Sequence, residues 1–341
     1  MQKRTVCVVL GVVSALCFGA SRAEAGSGKT CSSLTSSAFQ ACKSSAESDG
    51  AIAEGVCRNL PAKDDQKTCL SDARDERQGA QQDCRDQRAA RRDVCDQLGE
   101  APYAPSFAPA DFDTDFVHPT HPNSLFPLKV GDQWTYVGGG ELDHIEIRNA
   151  TKSIEGVTCV VSHDVVTVDG ALSEDTSDWI AQAKNGDVFY CGEQTAQYET
   201  FPGDDPNEPE LVGTEGSFKT GRDGDLPGIL MLAQPTVGAI YRQEFSLGTA
   251  EDLAEVLSTT YQFGQSADLD SNVPQALAQL LCSEGNCLVT REFSPLEPDT
   301  TERKYYAPGI GDFLEIEVES ATVTQLVSCN FDPRCAMLPE P

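Results

Sequence analysis

From Leu125 onward, several segments of the chain alternate hydrophobic and polar residues. Ile145 and Ile147 are flanked by charged residues, and residues 157–168 are rich in Val and Thr. A period of two with β-branched side chains is typical of strands that bury one face. We therefore expect a large antiparallel β domain over residues 125–341, built either as a curled sheet forming an incomplete barrel or as a sandwich.

Two dipeptides mark hairpin turns inside this region. Asp169-Gly170 and Asn185-Gly186 both separate extended runs, and this residue chemistry favours the positive backbone angles of tight β-hairpins. They predict three consecutive antiparallel strands. The expected ranges are about 157–168, 172–183 and 187–198.

Helical periodicity is weak in the same region. Two segments carry it, residues 251–257 and residues 274–281. We expect any helix of the β domain to lie in one of these two places.

The first part of the chain has a different signal, a symmetric spacing of six cysteines. Their successive separations are 11, 15, 12, 15 and 11 residues. Equal separations on two antiparallel helices place facing residues at equal heights, and each trio stays on one helix face. The six residues are Cys31, Cys42, Cys57, Cys69, Cys84 and Cys95.

This symmetry predicts a helical hairpin closed by three disulfides, with its turn near residue 63 beside Pro61. Residues 64–98 are mostly charged or Gln, so they offer too little apolar surface to hold two helices together without such bridges. The cysteine spacing matches neither a CxxC redox motif nor a zinc site. The predicted bridges are Cys31–Cys95, Cys42–Cys84 and Cys57–Cys69.

Six further cysteines lie in the β domain. Pairing between neighbours is the simplest arrangement for them, and it leaves one competing pair, Cys159–Cys287. The predicted bridges are Cys159–Cys191, Cys282–Cys287 and Cys329–Cys335.

The amino terminus has the features of a signal peptide over residues 1–25. Two basic residues precede a short apolar run, and Ala23-Glu24-Ala25 offers a cleavage site. We expect a periplasmic or secreted protein, with the helical hairpin at 26–100 and a Pro-rich connector at 101–124. No later segment is apolar enough to predict a transmembrane span.

Charge is concentrated in the second part of the chain. Of 25 basic and 54 acidic residues, residues 26–100 hold 11 and 13, whereas residues 101–341 hold 11 and 40. A field this negative repels nucleic acid and suits a cationic partner or loosely bound calcium. The partner, whether a ligand or a protein, is not specified by the sequence.

Several motifs lie between residues 123 and 327. They are centred on Trp134, Asp178-Trp179, Tyr241-Arg242-Gln243-Glu244 and Lys304-Tyr305-Tyr306-Ala307-Pro308-Gly309. Together these motifs resemble a group of uncharacterised exported bacterial proteins. The cysteine hairpin lies outside the resemblance, and Cys191 stands where an aromatic residue is usual. The resemblance implies export and a β-rich fold, and it transfers no catalytic residue.

Candidate chemistry is limited to carboxylates. The sequence contains no HExxH and no GxSxG motif, so a zinc protease or an α/β-hydrolase is not indicated. Asp178 beside Trp179 is a candidate acid in a cleft, with Glu193 and Glu244 as partners. A hydrolase of this kind needs acids that converge in one cleft, with at least one raised pKa.

Two groups of acidic loop residues are candidates for calcium. Asp111, Asp113 and Asp115 alternate as at the start of a calcium loop, but the glycine and glutamate that complete an EF-hand are missing. Asp204 and Asp205 lie in a second acidic loop. Solvated turns are the simpler explanation of both groups.

The sequence therefore favours a non-enzymatic exported protein whose β domain binds a ligand or partner, with the hairpin as a spacer or docking arm. Two alternatives remain, a carboxylate-dependent hydrolase and a structural envelope protein without a small ligand. A lined cavity in the β domain, and the chemistry of its walls, would separate them.

Overall fold

The computed structural model describes residues 28–341, so the expected signal peptide lies outside the described residues. Two long helices come first, α1 over Thr30–Arg58 and α2 over Lys63–Leu98, with the turn between them at Pro61. None of the helices in this part of the chain has the length and apolar character needed to cross a bilayer.

The hairpin is closed by the three bridges that the cysteine spacing predicts. Their Cα–Cα distances of 5.5–5.7 Å are normal for disulfides and show that the helices stay evenly spaced. Small residues line the seam, and a side chain at Gly50 would collide with Arg77 of α2. The bridges are Cys31–Cys95, Cys42–Cys84 and Cys57–Cys69.

Thirteen strands follow and form one antiparallel sheet that is not closed. Their order is β6-β5-β4-β3-β2-β1-β13-β12-β11-β10-β9-β8, with β7 paired to β5. The strands are β1 Gln133–Gly138, β2 Glu141–Ile154, β3 Val157–Val168, β4 Ala171–Gln182, β5 Val188–Glu199, β6 Glu210–Gly213, β7 Gly228–Met231, β8 Ile240–Arg242, β9 Leu253–Tyr261, β10 Cys287–Phe293, β11 Thr301–Ala307, β12 Gly311–Glu317 and β13 Val323–Cys329.

The sheet curls until its two ends nearly meet. The amide of Leu226, just before β7, donates to the carbonyl oxygen of Phe245, just after β8, at 3.0 Å. Gly228 packs against the backbone of Gln243, where any side chain would collide. Because one continuous ladder runs from β6 to β8, the domain is an incomplete barrel and not a sandwich.

The three strands predicted around the two hairpin turns are present as β3, β4 and β5, within one residue of the expected ends. Of the two helical candidates, residues 274–281 contain a helix, α3 at Gln275–Leu281. The prediction for 251–257 is wrong, because this segment enters β9. Ala254 and Val256 both face the interior there, so strand pairing with β8 and β10 outweighs the local helical signal.

The six cysteines of the β domain pair as neighbours. Cys159 on β3 reaches Cys191 on β5 across β4, with a Cα–Cα distance of 6.8 Å. A β-bulge at Cys191 and the small Ala181 on β4 allow this approach. The competing pair with Cys287 is not formed, since the remaining bridges are Cys282–Cys287 and Cys329–Cys335. Six disulfides are typical of a protein outside the cytoplasm.

The connector and the hairpin both pack against the sheet. Phe107 and Phe112 of the connector stack with Phe189 of β5. On α2, Arg91 makes a bidentate ion pair with Glu251, with N–O distances of 2.7–3.1 Å, and both side chains are buried. The base of the hairpin is therefore anchored to the β domain.

Candidate functional site

The concave side of the curled sheet encloses a cavity of about 310 Å³. One part of its wall is apolar and comes from β1, β2, β4 and β7 and from the loops that precede β1 and β12. The indole nitrogen of Trp134 donates to the carbonyl oxygen of Ile310 at 2.8 Å, which fixes the ring in this wall. The apolar lining residues are Phe126, Trp134, Ile145, Ile147, Ile180, Leu230 and Ile310.

The rest of the wall is acidic, and the cavity continues into an outer cleft of about 720 Å³. Glu244, Asp252, Glu292 and Lys304 line both spaces. Lys304 is the single basic side chain among the described residues that line them. The acidic lining residues are Asp143, Asp178, Glu193, Glu215, Glu244, Asp252, Glu292, Glu297, Glu302, Asp312 and Glu315.

Asp178 and Glu193 face each other on β4 and β5 and are bridged by Tyr190. The phenolic oxygen lies 2.5 Å from Oδ1 of Asp178 and 2.9 Å from Oε2 of Glu193. A phenol has one hydrogen and can donate to only one of two carboxylates. If Tyr190 donates to one carboxylate, its contact with the other acid requires that this acid carry a proton and donate to the phenol oxygen. Asp178, Tyr190 and Glu193 then share that additional proton.

The protonation of this group follows from its burial. Burial raises the pKa of Asp178 to about 7, against the opposing hydrogen bond from Tyr190. Burial and the nearby Asp178 raise the pKa of Glu193 to about 8. Glu244 faces both, and burial together with Asp252, Glu193 and Asp178 raises its pKa well above the usual range. At neutral pH this part of the cavity holds protons that exposed carboxyls would have lost.

A β-bulge places Tyr190 and Glu193 on the same face of β5. Residues three apart on a regular strand point to opposite faces, but the register shifts beside Gly192. Gly192 has a φ of 129°, and its α-carbon packs against the backbone of Phe218 and Lys219, so only glycine fits. The local sequence Cys191-Gly192 thus determines that the two groups meet.

Lys304 on β11 is held by three carboxylates. Its Nζ lies 3.0 Å from Glu315, 3.6 Å from Glu292 and 3.7 Å from Glu302. Burial lowers the pKa of Lys304, but the three carboxylates outweigh burial and raise it well above the usual range. The lysine is therefore charged, and its charge is already neutralised by its neighbours.

Two further carboxyl pairs have shifted pKa values. Burial and the neighbouring Glu315 raise the pKa of Asp312 well above its usual range, whereas Lys304 and Asp312 lower the pKa of Glu315 despite its burial. Across β2 and β3, burial and the contact with Asp143 raise the pKa of Asp164 to about 9. The pKa of Asp143 is itself raised by burial.

The three acids singled out in the sequence thus lie together where the inner cavity meets the outer cleft: Asp178 lines the cavity, Glu193 lines the cleft and Glu244 lines both. Sequence reasoning did not identify Tyr190, Lys304 or the pairs around Asp164 and Asp312. Residues 301–304 are all polar, so no local alternation singles out Lys304 as an interior residue.

The calcium candidates are not brought together. Both carboxylate oxygens of Asp113 accept hydrogen bonds from Thr120, and Asp115 accepts from the amides of Val117 and His118. Asp111 is exposed, as are Asp204 and Asp205 in their separate loop. Among residues 28–341 no group of three His, Cys, Asp or Glu side chains is arranged to hold a metal ion.

A scan against protein-family models, a search of curated proteins and a search of solved structures each found no match for this chain. The resemblance described from the sequence therefore rests on its quoted motifs, and the chemistry of the site rests on the geometry of the cavity.

Proposed function

We propose that the β domain is a non-enzymatic binding protein that takes a small cation with an apolar body into the concavity of its curled sheet. The observation that carries this proposal is the division of the cavity wall. Trp134, Ile147 and Ile180 offer an apolar surface, and Asp178, Glu193 and their neighbours offer an excess of carboxyls. An alkylamine satisfies both parts, with its chain on the apolar wall and its ammonium among the acids.

The ionised forms of these carboxyls supply the attraction for a cation. An opposite charge within about 4–6 Å favours the ionised form of an acid. An ammonium beside Asp178 and Glu193 would thus take the place of the proton that they share through Tyr190. Lys304 does not play this part, because Glu315, Glu292 and Glu302 already neutralise it.

The size of the site fits a small ligand. The inner cavity of about 310 Å³ opens into the outer cleft of about 720 Å³, and such volumes are in the range of small-molecule sites. A ligand reaches the inner cavity through the acidic outer cleft. This negative cleft attracts cations and repels anions before they reach the apolar wall.

The hairpin is the docking arm in this proposal. Its base is held by Arg91 and Glu251, and its far end exposes Ile52 and Val56 on α1. The disulfides keep the arm rigid between these two ends. The periplasm or the cell exterior is the compartment we propose, since the bridges need an oxidising environment.

Isothermal titration of the full mature protein with octylamine, octanol and octanoate tests the proposal. We expect octylamine to bind at the sheet cavity and octanol, which lacks the charge, to bind at least about tenfold more weakly, because hydrogen bonds to charged groups contribute about 1.5–3 kcal/mol. The double variant Asp178→Asn, Glu193→Gln should lose this preference. Glu199→Gln, an exposed carboxyl on the same strand, is the matched control.

Equal binding of octylamine and octanol, or an unchanged preference in the double variant, would contradict the proposal. Folding of each variant is checked by circular dichroism and by its melting temperature. Octylamine selectivity of the unsubstituted protein decides the question without any variant.

A carboxylate-dependent hydrolase is a second candidate, favoured by the convergence of Asp178, Glu193 and Glu244 with raised pKa values. The phenol of Tyr190 occupies the space between the first two acids, where a scissile bond would have to lie. Turnover of chromogenic glycosides or esters that is lost in Asp178→Asn would support the hydrolase. The third candidate, a structural envelope protein, predicts self-association and no ligand selectivity.

A further inference from the structure

A second cavity lies outside the curled sheet, between the base of the hairpin and β8. It is a crevice of about 260 Å³, and it is separate from the acidic cavity. Its walls are mostly apolar and come from both parts of the protein. The apolar lining residues are Leu34, Leu98, Tyr103, Ile229, Ile240 and Phe245.

One charged side chain, Arg242, lines this apolar crevice. Its guanidinium carbon lies 5.1 Å from the centre of the Phe245 ring and 5.8 Å from the centre of the Tyr103 ring, and both rings belong to the wall. Arg242 is only 9% exposed, and its Nη1 has no hydrogen-bond partner among the described residues. A buried guanidinium N–H without an acceptor is costly, so an acceptor that reached this guanidinium would be stabilised.

The charges around Arg242 do not balance. A small void beside the crevice is lined by Arg91, Glu251 and Arg242 together. Arg91 and Glu251 pair with each other, and they are 5% and 2% exposed. Nη1 of Arg91 also lacks a partner within residues 28–341. Two buried guanidinium groups thus share one carboxylate, and one positive charge is left over.

The electrostatic influences on Arg242 agree with this count. Burial lowers the pKa of Arg242 most strongly, Glu251 and Tyr103 raise it, and Arg91 lowers it further. Burial raises the pKa of Tyr103 to about 12, so this phenol is neutral and brings no negative charge at neutral pH. One anion bound beside Arg242 would therefore balance the local charge, although the protein as a whole is strongly acidic.

We propose that this crevice binds a small monocarboxylate with an apolar body, whose carboxylate is received by the guanidinium of Arg242 and whose chain lies on the apolar wall. A planar guanidinium matches a carboxylate with two parallel hydrogen bonds. The volume restricts the chain to a medium length, below the size of drug-like ligands. Because hairpin and sheet both line the crevice, the bound acid stabilises their contact.

Octanoate is the probe, with octanol and octylamine for comparison, titrated into the full mature protein with its disulfides intact. We expect octanoate to bind at least about tenfold more tightly to this crevice than octanol, because a charged hydrogen bond is lost with the neutral analogue. Methyl NMR locates the site. Signals of Leu34, Leu98 and Ile240 should shift with octanoate, whereas Ile147 and Ile180 of the sheet cavity should not.

Arg242→Gln should remove the preference for octanoate over octanol, and Arg242→Lys should keep part of it. Arg222→Gln, an exposed arginine, is the control and should bind octanoate normally. If Arg242→Gln does not fold, the comparison of octanoate with octanol and the methyl shifts in the unsubstituted protein decide alone. Equal affinity for octanoate and octanol, or shifts confined to Ile147 and Ile180, would overturn the proposal.

Discussion

Replacement of Asp178 by Asn should change how stability depends on pH. Burial raises the pKa of Asp178 to about 7 in the folded protein, against the ordinary value of 3.8 that applies to the unfolded chain. The folded state therefore binds the proton more tightly than the unfolded state. By linkage, the contribution of this group to the free energy of unfolding is largest below pH 4 and is lost as the pH rises to about 7.

The size of the effect follows from the shift. About three pKa units correspond to about 4 kcal/mol at 1.36 kcal/mol per unit. Asn is neutral at every pH, and its amide oxygen can still accept the hydrogen bond from Tyr190. We expect Asp178→Asn to match the unsubstituted protein near pH 4 and to exceed its free energy of unfolding by about 3–4 kcal/mol at pH 8.5.

Urea denaturation at half-unit steps between pH 4 and pH 9 measures this difference. Glu199→Gln on the neighbouring strand is the control, and its difference from the unsubstituted protein should stay within about 0.5 kcal/mol over the range. If the difference for Asp178→Asn does not grow with pH, Asp178 is ionised at neutral pH and the reasoning about shared protons is wrong.

Three other outcomes are expected. The affinity for octylamine should rise between pH 6 and pH 9, because the cavity carboxyls ionise over this range. A calorimetric titration at several pH values measures the trend, and an affinity that falls with pH would contradict the prediction. Glu251→Met should lower the free energy of unfolding by about 3–5 kcal/mol, because it leaves both Arg91 and Arg242 without a carboxylate. Arg91→Met should cost less, because Arg242 still balances Glu251, and urea denaturation of the two variants checks this order. Replacing Cys57 and Cys69 by Ala should lower the free energy of unfolding of the hairpin by about 3 kcal/mol, because the disulfide closes a short loop. Denaturant unfolding followed by circular dichroism at 222 nm measures this change, and an unchanged free energy would contradict the need for the bridge.

The sequence predicted the hairpin in detail because its information is periodic. Cysteine separations of 11, 15, 12, 15 and 11 have a direct geometric meaning on two helices with a fixed rise per residue. The tight turns at Asp169-Gly170 and Asn185-Gly186 likewise fixed the ends of β3, β4 and β5. The curled sheet was among the expected architectures because the alternation of hydrophobic and polar residues indicates strands with one buried face.

The polar interior was not predicted because it depends on breaks in periodicity. Tyr190 and Glu193 share a face only through the bulge at Cys191, and Asp312 and Glu315 share one only through the register shift opposite Tyr306. A bulge of this kind is set by cross-strand contacts, which a single sequence does not reveal.

Residues 251–257 illustrate a related limit of sequence reasoning. Their local composition favours a helix, yet Leu253, Ala254 and Val256 are fully buried within the sheet. The energy of that burial comes from partners distant in the sequence, so local propensity gave the wrong element.

Carboxyl-detected NMR titration of Asp178 and Glu193, without and with saturating octylamine, tests the central claim most directly. We predict midpoints near pH 7 and pH 8 in the free protein, and a fall of more than about one unit for both when the ammonium lies beside them. Midpoints near pH 4 that octylamine leaves unchanged would contradict both the shared protons and the proposed cation site.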